Sequence, residues 1–399
     1  IRDRGSEDDT IEKLLEHYDE LSDHIKVETK DPDLYPKFTS QYTDQTVAAN
    51  SVIVVCGDKS KVVSNSDMWE TSTNYQTYQT QTTGFDGEGQ ITSAITYVTS
   101  ENNPKVYWVT GHGEASESDL STNFSDAINK NNVEISDLAL MTDDIPEDAE
   151  ELVIMSPTTD FSEDEANKVI TYLENGGKLL MFTSYTGTDM PNLDSILENY
   201  GVKRSSGIVV ETDSQHYYPQ MPYYLLPNIQ SDDITTEVKS NYILMPVAQA
   251  IQKLDSYRDT ITIKSLLTTT EDAYIENDPE NSTWSKSADS ETGAFDLGVS
   301  ITETVDDKET QIIYFSSASM LSSQIDQAIS GANSKLAATA LTSMCDVEQT
   351  VVIPSKSTSY TNLVFTQGAV NTWSIITIAG IPLVLVVIGV MIWMKRRKQ

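Results

Sequence analysis

The sharpest chemical feature of the sequence is a short Gly-His-Gly-Glu segment, which consists of Gly111, His112, Gly113 and Glu114. An imidazole beside a carboxylate is a pair that general acid–base catalysis uses, and glycines let a backbone approach a ligand closely. The competing interpretation is structural: the glycines supply tight-turn backbone angles, and His112 and Glu114 hold the loop by hydrogen bonds. We favour the structural interpretation, because the segment has no neighbouring nucleophile.

A second candidate is the segment Ser156-Pro-Thr-Thr-Asp160, which follows the apolar stretch Leu152–Met155. Ligands in open α/β sheets bind beyond the carboxyl ends of strands, so we expect this segment to line the same crevice as the Gly-His-Gly-Glu loop. Ser156 and Asp160 are therefore candidate ligand residues, although a plain turn leading into a helix is the favoured alternative. No serine lies in a GxSxG motif, so a serine hydrolase is unsupported.

Composition excludes several other classes of protein. The formal net charge is −35, and so acidic a chain repels phosphate backbones, which argues against nucleic-acid binding. Cys56 and Cys345 lie far apart and form no CxxC motif, and the four histidines form no HExxH motif. We therefore predict neither a metal nor another cofactor.

The elements that position these residues are predicted by hydrophobic periodicity. Ser162 and Glu165 form a capping box at a helix start, and Gly176-Gly177 suits the end of that helix. Strands alternating with helices favour an α/β fold with a mostly parallel sheet. The predicted strands are Lys105–Val109, Val133–Leu140, Leu152–Met155, Lys178–Phe182 and Gln311–Phe315, and the helices are Ser118–Asn129, Phe161–Glu174, Asn192–Tyr200 and 320–344.

Four boundaries follow from these patterns, after residues 70, 90, 350 and 372. Residues 1–70 form a small α/β domain with a helix at Ile11–Leu21 and strands at Ile25–Glu28, Ser51–Cys56 and Lys61–Ser64. Residues 71–90 are predicted to be a polar linker, because they lack apolar periodicity. The larger α/β domain spans 91–350, beginning with a helix at Ile91–Ser100, and 351–372 link it to the apolar segment that follows.

Residues 373–394 form an uncharged run that is long enough, at about 1.5 Å per residue, to cross a bilayer core of about 30 Å. Trp373 and Trp393 stand near its ends, where indoles prefer the membrane interface. The basic tail within 395–399 places the C-terminus in the cytoplasm and residues 1–372 outside the plasma membrane. Because this topology requires export and the N-terminus is no signal peptide, we expect a signal or an anchor upstream of Ile1; the alternative is a tail-anchored protein with inverted topology. The basic residues of the tail are Lys395, Arg396, Arg397 and Lys398.

The segment KVYWVTGHGE at Lys105–Glu114 resembles a signature of the gliding-motility-type ABC transporter auxiliary proteins, the GldG-like family. The resemblance extends to LLEHYDELSDHIKVETKDPDLYPKFTSQY and SVIVVCGDKSKVV near the N-terminus, and to ELVIMSPTTDFSEDEANKVITYLENGGKLLMF. It covers residues 10–200 well and 300–394 loosely, and the middle is divergent.

The resemblance implies a thioredoxin-like N-terminal domain without redox cysteines, followed by a glutamine-amidotransferase-like (flavodoxin-like) domain. It implies a non-catalytic role beside an ABC permease and a separate ATPase chain, since no Walker motif occurs here. No cysteine follows a central strand, so amidotransferase chemistry is not carried over. We therefore expect a membrane-anchored auxiliary subunit of unknown substrate. The alternatives are a cell-surface hydrolase or carbohydrate-active enzyme that uses the Gly-His-Gly-Glu crevice, and a surface adhesion or scaffold protein.

Overall fold

The computed structural model describes residues 8–31, 34–35, 37–43, 46–74, 79–100, 103–280, 283–345, 353, 356–357 and 397. The chain divides into two compact units. The first consists of Ile1–Met68 and Asp86–Ser355, and the second of Trp69–Phe85 and Lys356–Gln399.

The helices of the described residues are α1 Asp9–Leu21, α2 Gly87–Thr99, α3 Thr122–Lys130, α4 Glu163–Glu174, α5 Pro191–Asn199, α6 Ser323–Ala328 and α7 Ala332–Met344. The strands are β1 Val52–Cys56, β2 Lys59–Val63, β3 Trp69–Asn74, β4 Gln79–Phe85, β5 Lys105–Val109, β6 Glu134–Leu138, β7 Glu151–Met155, β8 Lys178–Phe182, β9 Val202–Val210, β10 Tyr217–Tyr218, β11 Met221–Leu225, β12 Asn228–Ile229, β13 Met245–Pro246, β14 Gln249–Lys253, β15 Ile261–Thr268, β16 Tyr274–Glu276, β17 Asp296–Val305, β18 Lys308–Phe315 and β19 Lys356–Ser357. Short 3₁₀ turns occur at Thr39–Gln41, Ser66–Met68, Glu117–Asp119, Thr236–Val238 and Ala318–Leu321.

The first unit is built on one large mixed sheet, in the order β16-β9-β14-β17-β18-β8-β7-β5-β6, with β15 added through β17 and β12 through β15. The neighbours from β18 to β6 pair in parallel, as the strand–helix alternation predicted. The expectation of a mostly parallel sheet is wrong for β9 and β14 to β17, which pair antiparallel. In that stretch the described residues contain no crossover helix, which parallel neighbours require, and β17 and β18 are joined by a two-residue turn at Asp306-Asp307.

The core lies on both faces of the parallel strands. On one face, Phe124 of α3 and Leu336 of α7 pack with Val106 and Phe182. On the other face, Val169 of α4 packs with a second cluster that includes helix α5. All five residues of β7 are buried, as expected for a strand covered by helices on both faces.

Two expectations for the N-terminal part are wrong. Ile25–Glu28 is extended but belongs to no ladder among the described residues, so the predicted strand there is not formed. The stretch predicted to be a polar linker, 71–90, has regular structure: its described residues contain most of the β3–β4 hairpin of the second unit and the first turn of α2. β-Branched threonines favour strands, and Thr71 pairs with Thr82, and Thr73 with Thr80.

Two predicted helices are shorter than expected. The helix expected from Ser118 begins at Thr122, because Ser116 and Asp119 form a capping box around a 3₁₀ turn. The helix expected over 320–344 is interrupted where Ser330 and Gly331 adopt left-handed backbone angles, φ 58° and 79°. In the described part of the chain, no helix is both long and apolar enough to span a bilayer. The predicted membrane segment 373–394 lies outside the described residues.

Candidate functional site

The Gly-His-Gly-Glu loop follows β5 at the carboxyl edge of the parallel strands, where the sequence predicted it. Gly111 and Gly113 adopt positive φ angles of 122° and 76°, which side chains other than hydrogen disfavour. A Cβ atom on Gly113 would lie 2.1 Å from the Thr158 hydroxyl oxygen. The second glycine is therefore required both by its backbone angle and by the close approach of the neighbouring loop.

The imidazole of His112 lies between two carboxylates and is 4 % exposed. Its Nδ1 is 3.2 Å from Glu114 Oε1, and its Nε2 is 3.2 Å from Glu165 Oε2. The ring also contacts Phe161, with 4.2 Å between ring centroids. Each ring nitrogen therefore faces an oxygen of a different buried glutamate, and we call this arrangement the His112 clamp.

Each carboxylate of this clamp has further donors. Glu114 accepts a hydrogen bond at 2.7 Å from the backbone N–H of His112. Glu165 accepts from the N–H and the hydroxyl of Ser162, at 2.9 and 2.7 Å, and so completes the capping box of α4. Burial is the largest influence on the Glu165 pKa and raises it, but the Ser162 and His112 bonds together outweigh burial and hold the pKa below its usual value.

The neighbouring segment Ser156–Asp160 is joined to the loop through backbone bonds. The His112 carbonyl accepts hydrogen bonds from the N–H groups of Thr158 and Thr159, at 2.9 and 3.0 Å. Ser156 has a φ of 54°, and its hydroxyl donates to the Ser184 hydroxyl at 2.8 Å. The structure therefore brings the two predicted segments together, but through the His112 backbone rather than around an open crevice.

Asp160 caps a helix in this structure. Its carboxylate accepts hydrogen bonds from the backbone N–H groups of Asn192 and Leu193, at 3.1 and 3.0 Å, in the first turn of α5. A carboxylate there satisfies helix donors that have no partner within the helix. Asp160 therefore caps α5 and not α4, the helix that follows it in the sequence.

Two cavities of the described residues lie away from this loop. One, of about 810 Å³, runs along α4 between residues 144–150 and Asn175–Gly177. The other, of about 440 Å³, lies between α1, α2 and β1. No predicted site residue lines either cavity, and the described residues contain no cluster of metal-ligating side chains.

Sequence reasoning missed Glu165 as a partner of His112 and identified it only as a capping residue. The signal that could have revealed this contact is that the α4 N-terminus and the loop after β5 leave the same edge of the sheet. Of the predicted membrane-anchor residues, Trp373, Trp393, Lys395, Arg396 and Lys398 lie outside the described residues, and Arg397 alone is described.

One family model matches the chain. The family described as an ABC-type uncharacterized transport system matches residues 103–343, which span β5 to α7 and include the His112 clamp. No curated protein matches the chain.

Several solved structures show partial similarity. The mmIFT52 N-terminal domain is 15% identical, with 60% of this chain and 96% of that chain covered and a TM-score of 0.44. A ThuA-like protein from Parabacteroides merdae is 12% identical, with 61% and 90% covered and a TM-score of 0.32. The exo-beta-1,4-mannosidase Op5Man5 from an Opitutaceae bacterium is 11% identical, with 65% and 38% covered and a TM-score of 0.31. At these scores the similarities carry no argument about this chain.

Proposed function

Because the chain belongs to the ABC-type uncharacterized transport system family, we propose that it is a membrane-anchored, non-catalytic auxiliary subunit of a gliding-motility-type ABC transporter complex. The observation that carries the proposal is the family match over 103–343, which covers the large sheet and its helices. The sequence has no Walker A motif, so the ATPase of such a complex is a separate chain, and the permease is another.

The proposed anchor is the uncharged run 373–394, followed by the basic tail 395–399. The excess of positive charge after this run supports a cytoplasmic C-terminus, with residues 1–372 outside the plasma membrane. Within that outer part, the proposal includes a thioredoxin-like domain over 1–70 and a glutamine-amidotransferase-like domain over 91–350. The parallel order of β5 to β8 agrees with the second assignment.

A non-catalytic role is supported by how the His112 clamp uses its polar atoms. Both ring nitrogens of His112 face carboxylates, and the side chains of Glu114 and Glu165 are 2% and 4% exposed. A general base needs a lone pair or a proton within reach of a substrate. In this loop the polar contacts of the His112 ring are to protein atoms, so the geometry favours a structural role for His112 over a hydrolase centre.

Co-purification tests the proposed complex. The full chain, tagged after Gln399 and expressed at native level, is purified in mild detergent and its partners are identified by mass spectrometry. We expect a multi-span permease and an ATPase chain with a Walker A motif. The matched control replaces 373–394 with an unrelated membrane helix of equal length, which keeps the anchor and should weaken capture. Recovery of the unaltered chain as a lone monomer would contradict the proposal.

Protease accessibility tests the proposed orientation separately. Protease added outside intact cells should digest residues 1–372 and spare the tag after Gln399. Cells permeabilised before digestion provide the control, because the tag should then be lost. If residues 1–372 were instead protected from the protease, the orientation would be the reverse of the proposed one. The transport role would still be decided by the co-purification experiment.

A further inference from the structure

Glu151, the first residue of β7, is fully buried but has few of the hydrogen-bond donors that a carboxylate ion needs. Its Oε2 contacts the thiol of Cys345, the residue that ends α7, with a donor–acceptor distance of 3.3 Å. Glu151 Oε1 is without a partner in the described part of the chain. A thiol is a weak donor, and a carboxylate ion out of contact with water is costly unless strong hydrogen bonds or a paired charge compensate it. These contacts therefore suit the protonated form of Glu151.

The other ionisable groups around Glu151 favour the same form. Lys178 lies at the start of β8, and its Nζ is 3.8 Å from Oε1 of the neighbouring Glu150. Tyr172 of α4 donates a hydrogen bond to the Glu150 carbonyl at 3.1 Å. Burial raises the pKa of Glu151 well above its usual value, and neither the Cys345 bond nor the charge of Lys178 compensates. The charge of Glu150 acts in the same direction as burial.

The end of α7 is the part of this environment that opens most readily. Cys345 is the C-cap of α7, and the last carbonyl groups of a helix have no partners within the helix, so a final turn opens at low cost. Strand β7, in contrast, is paired with β5 and β8 along its two sides, and Glu151 is in register with the uncharged Val106 of β5. Displacing the last turn of α7 is therefore the least costly way to bring water to Glu151.

We propose that Glu151 and the last turn of α7 form a pH-sensitive switch. In the closed state, Glu151 is protonated and keeps its contact with Cys345. In the open state, the Glu151 proton has passed to water, the carboxylate is hydrated and attracted by the charge of Lys178, and the last turn of α7 has left the sheet. The chain continues from α7 to β19, a strand of the second unit, so the switch sets how firmly this connection is held at its α7 end.

The direction of the response follows from the difference in pKa between the two states. In the open state Glu151 is hydrated and titrates near its ordinary value of 4.5, whereas in the closed state its pKa is raised. The equilibrium constant for opening should therefore increase about tenfold per pH unit above about pH 4.5 and level off at the closed-state pKa. Rising pH opens the switch.

Alkylation of the Cys345 thiol measures this opening. The full chain is used in mild detergent with the substitution Cys56→Ser, which leaves Cys345 as its single thiol. The rate with iodoacetamide is divided by the rate for the same chain unfolded in urea at the same pH, because only the thiolate reacts and its fraction rises with pH in any thiol. We expect this ratio to increase by at least about tenfold between about pH 5 and about pH 8.

Two glutamine variants assign the response to one carboxylate. Glu151→Gln keeps the shape of the side chain and removes its charge, so the ratio should no longer depend on pH. Glu150→Gln is the matched control, because it removes a carboxylate one position earlier and should preserve the response. A pH-dependent ratio in Glu151→Gln would overturn the proposal, since another group would then be the one that titrates.

Hydrogen exchange in the chain without substitutions separates the switch from a general loss of stability. Amide exchange rates, corrected for their ordinary dependence on pH, are compared between residues 341–344 at the end of α7 and Lys178–Phe182 of β8. We expect protection to fall with rising pH at the end of α7 and to persist in β8. An equal fall in both places would overturn the proposal, because the whole fold would then be opening. Constant protection at the end of α7 would overturn it as well.

Discussion

A buried carboxylate lies near each end of strand β7, and the two carboxylates have different hydrogen-bond donors. At the carboxyl end, the segment after Met155 packs on the loop that holds His112 between Glu114 and Glu165. At the amino end, Glu151 is 0 % exposed, and its Oε2 accepts a hydrogen bond from the Cys345 thiol at 3.3 Å. One oxygen of each glutamate, Glu151 Oε1 and Glu165 Oε1, has no hydrogen-bond partner among the described residues, so the two carboxylates differ in the donors to their other oxygen.

This difference in partners sets the sign of each pKa shift. Burial raises the pKa of Glu151 well above its usual value, and the weak thiol donor and the charge of Lys178 do not compensate. Burial of Glu165 acts in the same direction, but the bonds from Ser162 and His112 outweigh it and its pKa is lowered. The pKa of a buried carboxylate is therefore lowered near one end of the strand and raised at the other, according to its donors.

The largest effect should come from removing the imidazole that lies between two buried glutamates. His112→Ala leaves Glu114 and Glu165 buried without the group between them, and each buried polar group that loses its hydrogen-bond partner costs about 1–3 kcal/mol, more if it is charged. We expect a corresponding fall in the free energy of unfolding, measured by chemical denaturation of the full chain in mild detergent. Loss of transporter function should follow the loss of folded protein.

His216→Ala is the matched control, because His216 makes one neutral contact, Nδ1 to the Leu226 carbonyl at 3.1 Å. It should cost only about 0.5–1.5 kcal/mol. If His112→Ala instead left stability unchanged and abolished function, the loop would bind a ligand or act in catalysis. The interpretation that His112 has a structural role in the loop would then be wrong.

The parallel half of this fold was accessible from the sequence, and the antiparallel half was not. The boundaries of β5 and β8 were predicted to the residue, because apolar runs bounded by turn residues mark buried strands. Between Gly207 and Phe315 the described strands follow one another without α-helices, and no local pattern specifies which strands pair. Pairing there depends on contacts between β9, β14 and β17 that are distant in sequence.

The candidate site, too, could be predicted from the sequence only in part. Local signals identified the glycine turn and the Ser162–Glu165 capping box, because their hydrogen bonds join residues three positions apart or closer. The bond between His112 and Glu165 spans 53 positions and depends on how α4 packs at the sheet edge. The burial of Glu151 was equally inaccessible, because a glutamate at the start of a strand is usually exposed.

Substitutions of the buried carboxylates at the two ends of β7 should change the free energy of unfolding with opposite dependences on pH. Glu165 has a lowered pKa, so its charge stabilises the fold above the unfolded value near 4.5, and this contribution is lost as pH falls through the lower folded pKa. Glu165→Gln should therefore cost about 1–3 kcal/mol at neutral pH and much less in acid. The measurement is the free energy of unfolding from pH 3 to pH 8 (about five units).

Glu151→Gln is the comparison, and its sign is reversed. Its raised pKa means that its contribution is fully present below about 4.5 and is lost as pH rises through the higher folded pKa. The stability of Glu151→Gln relative to the unaltered chain should therefore increase with rising pH. Parallel slopes for the two variants would refute the contrast between the ends of the strand.

The smallest effect should come from Ser162→Ala, which removes one donor to the charged carboxylate and leaves His112 in place. The Ser162 hydroxyl donates to Glu165 Oε2 at 2.7 Å and accepts from the Glu165 N–H at 3.3 Å, so its loss should cost about 1 kcal/mol. Because the Ser162 bonds lower the Glu165 pKa more than His112 does, that pKa should rise, and the acid-side loss of stability should begin at higher pH. Carboxyl NMR titration measures the pKa directly, and Ser162→Thr, which keeps the hydroxyl, is the control. If Ser162→Ala left the pKa unchanged, His112 and the Ser162 N–H would account for the lowered pKa of Glu165.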